Sequence, residues 1–225
     1  MTDIKAKPKR IKHKRSKWQK VSLVGYIALG FMALVSLFPF YWMFIVASNG
    51  TEEVSKIPPA ILPGPRFWTV IQHVYEVIDF NTALLNTVIV GVVVAVAQVL
   101  FSALAGFAFA KLNFKGRRGL ILFVIGTMML PSQLGIIPLY MLISGLGWID
   151  SLNALIIPAL VTAFGVFWMR QVIDAQVPNE MLEAASIDGA GVLRIYWNIV
   201  LPIIRQSGFV LGLFSFLATW NDFLW

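Results

Sequence analysis

Five long apolar runs constrain this chain more than any other feature. They cover residues 21–47, 84–110, 120–141, 152–168 and 203–225. Each approaches or exceeds the about 20 mostly apolar residues that cross a bilayer as a helix. Backbone inside hydrocarbon has to satisfy its own polar groups, so only helices and closed barrels span a membrane. None of the runs alternates with period two, which argues against a barrel. The fold class that follows is an all-α membrane protein, a polytopic helical bundle of about five spans. Composition agrees with it. The chain is 58% hydrophobic and 13% charged, with a mean hydropathy of +0.78, whereas soluble domains are about 25% charged.

The first run exceeds the about 7–15 apolar residues of a signal-peptide core, so it is expected to remain as an uncleaved helix. Orientation follows from the lysines and arginines between runs. Nine of the 18 basic residues lie in the arm 1–20. A basic arm could bind nucleic acid. Directly before a span, it reads better as a cytoplasmic anchor drawn to anionic lipid, with no nucleic-acid partner. The loop 48–83 holds Lys56 and Arg66 against four carboxylates, whereas 111–119 holds Lys111, Lys115, Arg117 and Arg118. The turn 142–151 has no basic residue, and the region after the fourth run has Arg170, Arg194 and Arg205. This alternation places the N-terminus and the segment 170–202 in the cytoplasm. Two domains result: the arm 1–20, and a membrane domain 21–225 with a cytoplasmic loop at 170–202.

Small residues recur four apart within the runs, at Ser102, Gly106 and Ala110 and at Gly208 and Gly212. Such stripes let helix backbones approach closely, which is the simpler reading here than a pore lining. Pro39 is expected to bend the first helix. With no cysteine and with His13 and His73 far apart, no metal site is expected. No GxxxxGK[ST] loop is present, so no ATP site is expected in this chain.

The stretch "PNEMLEAASIDGAGVLRIYWNIVLP" is the polar exception. Pro178 suits a first helical turn, and Glu180 and Glu183 near a helix N-terminus are favoured by its dipole. Met181, Leu182, Ala184 and Ala185 continue the helix. "DGAG", Asp188 to Gly191, ends it, because glycine tolerates positive φ. A second short helix over 192–200 follows, and Pro202 opens the fifth run. Such a helix–turn–helix either docks in a partner's groove or lies on the bilayer. The residues leave both open, with the carboxylates favouring a protein partner.

"EAASIDGAG" with "IVLP" resembles the EAA motif of permease subunits in binding-protein-dependent ABC importers. Glu183, Ala184, Ala185, Asp188, Gly189, Ala190, Ile199, Leu201 and Pro202 match it, and Tyr196 stands where phenylalanine is more usual. "FPFYWMFIVASNGTEEV", "FAFAKLNFKGRRGLILFVIGTMMLPSQLGIIPLY" and "LATWNDFLW" are similar to the sugar-importer branch, in particular its MalG-like members. The resemblance covers residues 35–225. It implies that Glu180, Glu183–Ala185, Asp188, Gly189, Ala190, Gly191, Leu201 and Pro202 form a coupling surface for a cytoplasmic ATPase. It also implies a second, MalF-like permease subunit, two ATPase subunits carrying ATP and Mg, an extracellular solute-binding protein and a sugar substrate. The setting would be the bacterial cytoplasmic (inner) membrane, with no cofactor and no catalysis in this chain. Family members usually carry one more span than these five runs supply, so the chain is expected to be C-terminally short.

An ion-coupled secondary transporter or channel subunit is the alternative. Such proteins place ionisable groups within the membrane, and only Asp222 qualifies. Together with Trp220 and Asn221 it forms either part of a substrate path or an outer-end contact, and the latter is the simpler reading. Gln98, Gln133 and Asn153 are further polar groups within the runs.

Overall fold

A computed structural model describes residues 22–50 and 55–222. The basic arm, Trp18, Glu52, Glu53 and the last residues of "WNDFLW" lie outside the described residues. All regular structure among those described is helical. The chain divides into two compact units, up to Asp79 and from Phe80 onward.

In the first unit, helix α1 (Leu23–Ser48) begins where the Ser22 side chain accepts a hydrogen bond from the Gly25 N–H at 3.2 Å. It runs unbroken through Pro39 and is apolar on all sides. Its C-terminal end buries Ile45 and Ser48. The Ser48 hydroxyl accepts from the Gly64 N–H at 3.1 Å, and its carbonyl accepts from the Arg66 N–H at 3.2 Å. These bonds satisfy the end of α1 and position helix α2 (Phe67–Val77), an amphipathic helix whose Phe67 ring packs 5.0 Å from Phe44. His73 lies on α2, 3.7 Å from Glu76.

The second unit is built on α3 (Phe80–Lys111), whose 32 residues cross the membrane domain. Then come α4 (Arg117–Thr127), a 3-10 turn (Ser132–Gly135), α5 (Ile136–Gly145), α6 (Leu152–Ile156) and α7 (Ala163–Gln176). The unit ends with α8 (Asn179–Ile187), α9 (Val192–Ile195), a π-helical turn (Tyr196–Val200) and α10 (Leu201–Trp220). The core lies where α3, α7 and the last helix meet, around Ala103, Phe107, Met169, Ile173, Tyr196, Val200 and Ile204. Small residues bring these backbones together. A Cβ on Gly106 would fall 2.7 Å from the Arg170 nitrogen, and one on Gly208 or Gly212 would crowd Val99 at 3.2 Å.

Among the described residues, three helices are long and apolar enough to span: α1, α3 and the stretch Val192–Trp220. A fourth span exists if α4 and the segment Ser132–Gly145, bent by 95° at their junction, count as one. The apolar run 120–141 is thus not a continuous helix. Pro131 cannot donate to a helical ladder and drives the preceding residue from helical geometry. The run 152–168 is not a single helix either. Pro158 ends α6, and the Thr162 hydroxyl caps α7 by accepting from the Gly165 N–H at 3.1 Å.

A polar knot holds that break in place. Gln98, 7% exposed, donates from Nε2 to the Ala159 carbonyl at 2.9 Å, and its Oε1 accepts from the Ser215 hydroxyl at 2.6 Å. Interrupted helices persist in a membrane when freed carbonyls find such partners.

Candidate coupling surface and outer cavity

The polar insert is more compact than 170–202. Residues 170–176 are the last turns of α7, and residues from Val192 onward belong to the helix that runs to Trp220. Pro202 therefore does not begin a separate span. The Leu201 N–H reaches back five residues to the Tyr196 carbonyl. This wider turn gives room for a proline ring that would clash with the carbonyl four residues earlier.

Between these helices the chain leaves α7 at Val177, turns at Pro178 and forms α8. Pro178, with ψ 142, is the N-cap rather than the first helical residue. Glu180 lies in the first turn of α8, where its charge meets unpaired N–H groups. Leu182 and Ala185 face the core, while Glu180, Glu183 and Ala184 face outward. The EAA triplet thus divides between packing and display.

α8 ends in a Schellman motif. The Ala190 N–H bonds the Ala185 carbonyl at 2.9 Å, the Gly189 N–H bonds Ser186 at 3.1 Å, and Gly189 has φ +78. The space beside Gly189 is open, so the need for glycine there is conformational rather than steric. Ala190 packs against the core, whereas Asp188 and Gly191 are exposed. Leu201 is half-buried and Pro202 exposed, both beyond the insert on α10.

The insert and the helix that follows it also display apolar groups. Ile187 is 86% exposed and Met181 is open on α8, and Leu193 is 66% exposed with Val192 and Trp197 open just beyond it. Glu180, Glu183 and Asp188 are exposed as well, and Glu183, Ile187 and Val192 line one groove. The carboxylates stand out in the sequence, but the apolar groups do not, because a helical apolar residue normally faces the core.

At the other end of the bundle, Trp220 stacks on Phe216 with centroids 5.6 Å apart. The Asn221 amide donates to the Leu217 carbonyl at 2.7 Å and so caps α10. Trp220 and Asp222 line a cavity of about 520 Å³ together with Asn86, Thr87, Pro158 and Thr219. Asn221 does not line it. Asn86 and Lys111 bracket most of α3, about 37 Å apart along its axis. The cavity and the insert therefore sit toward opposite membrane faces. Among the described residues, no group of three or more His, Cys, Asp or Glu could hold a metal ion.

Residues 98–225 match the family described as the binding-protein-dependent transport system inner membrane component. The chain belongs to this family. It is 32% identical over 198 residues to the sn-glycerol-3-phosphate transport system permease protein UgpE of Yersinia enterocolitica, covering 85% of this chain and 70% of that protein. It is 29% identical to the arabinooligosaccharides transport system permease protein AraQ of Halalkalibacterium halodurans, over 88% of this chain and 72% of that one. Among solved structures, it superimposes on a bacterial ABC transporter involved in the import of the acidic polysaccharide alginate. That match has a TM-score of 0.73 and 25% identity, and covers 88% of this chain and 70% of that one. The protein is a multi-pass permease subunit of a binding-protein-dependent ABC importer, a transport component rather than an ion-coupled carrier.

Proposed function

We propose that the protein forms half of the translocation pathway of an ATP-driven importer for a sugar or sugar-derived polyol in a bacterial cytoplasmic membrane. A second permease subunit completes the pathway. Two ATPase subunits bind ATP and Mg, and a binding protein delivers substrate from outside. The insert 177–191 seats in the ATPase, and its movement tilts the bundle between inward- and outward-open forms. The observation that carries this reading is a groove where exposed Ile187 and Val192 stand beside the Glu183 carboxylate. A solvated loop would not keep such groups open, and apolar patches rimmed by polar residues mark protein interfaces. The substrate class rests on relatives named for glycerol phosphate and arabinooligosaccharides, which share a polyhydroxyl character. The cavity beside Trp220 fits that class, since an aromatic face and the Asn86 amide suit a sugar ring.

Co-purification tests the coupling surface. The chain is expressed with its partner subunits, with the native insert or with Glu183→Lys and Ile187→Asp. ATPase should be recovered with the native insert and lost with the double variant at equal membrane insertion. Equal recovery from both would remove the insert from the ATPase interface.

A further inference from the structure

Lys111 ends α3, and its side chain is only 6% exposed. Nζ donates to Asn179 Oδ1 at 2.8 Å, and Asp174 Oδ1 lies 3.9 Å away. Asn179 is the first residue of α8, and Asp174 lies in the last turn of α7. Among the described residues, this is the one side-chain hydrogen bond that joins α8 to a spanning helix. Otherwise α8 is held by apolar contact through Leu182 and Ala185. Apolar contact is non-directional, whereas a charge-assisted hydrogen bond fixes an orientation. An ammonium group is also costly to bury, and a side chain that merely filled the space could be apolar.

We infer that Lys111 is a positioning residue for the coupling insert. It pins the N-terminal end of α8 to the end of α3 and so fixes the direction in which the exposed face is presented. Force on α8 then reaches the membrane domain through a stiff 32-residue helix. That helix begins, at its far end, beside the outer cavity. The transmission step rests on the reading that the insert engages the ATPase, whereas the orientation of α8 does not.

The chain has no cysteine, so two labels can be placed on it without background from its own residues, with cysteine-free partner subunits. Spin labels at Lys115→Cys and Ser186→Cys in the assembled complex report the orientation of α8. Transport per ATP hydrolysed is measured in parallel. The native chain and Lys111→Arg should give one narrow distance distribution. Lys111→Met keeps the apolar stem, and Asn179→Ala keeps the lysine. Both should broaden the distribution and lower transport per ATP by about tenfold, the population shift set by losing a hydrogen bond to a charged group. A narrow distribution with native coupling in both variants would overturn the inference. If Lys111→Met does not assemble, Asn179→Ala decides alone, because Asn179 is exposed. Broadening with native transport per ATP would keep the positioning role and reject the coupling role.

Discussion

Gly189 shows how a single residue sets the shape of the insert. Its φ of +78 closes the Schellman motif, and nothing crowds it. Gly191, two residues on, has φ −69 and ψ 159, an extended geometry open to any residue. Gly189→Val therefore costs about 1–2 kcal/mol in backbone strain and misaligns α8 against α9. Gly191→Val costs little. ATPase recovered per inserted chain should fall with the first and stay near native with the second. Equal recovery from the two would refute the conformational argument. At this scale the sequence was informative where chemistry is local: "DGAG" announces a turn whatever surrounds it. The contact between Lys111 and Asn179 spans 68 residues, and no local pattern joins them. Asn86 and Thr87, which line the outer cavity, likewise carry no signal of their own.

Elements with uniform character were readable, and interrupted ones were not. α1 and α3 lie within a few residues of the runs 21–47 and 84–110. The breaks near Pro131 and Pro158 were missed because hydropathy averages over a window and does not register a missing N–H. Proline alone does not decide the outcome, since α1 continues through Pro39. At Pro158, what decides is the set of partners for the freed groups: Thr162 caps the next helix and Gln98 takes the Ala159 carbonyl. Gln98→Ala removes its bonds to Ala159, Ser215 and Thr162 and leaves that carbonyl without its partner. The loss should destabilise the bundle by about 1–2 kcal/mol. Thermal inactivation of the solubilised complex should show a lower midpoint than the native protein. An unchanged midpoint would mean the knot contributes nothing to the break.

For the whole molecule, two features lie toward opposite ends of the membrane domain: an insert with exposed apolar and acidic side chains, and a cavity of mixed apolar and polar lining. Rigid helices packed through Gly106, Gly208 and Gly212 connect them. Close backbone packing makes a bundle move as a body rather than deform, which suits alternating access. Membrane class was legible from composition. Helix continuity was not, because among the described residues three helices, or up to four if the bent pair counts as one, have the length and apolarity of a span where five apolar runs stand.

The most direct test is uptake into vesicles that contain the complete complex, with binding protein and labelled substrate outside and ATP inside. The account predicts accumulation that requires internal ATP and is lost with Glu183→Lys and Ile187→Asp. Accumulation driven by an ion gradient without ATP, and indifferent to the insert variants, would contradict it.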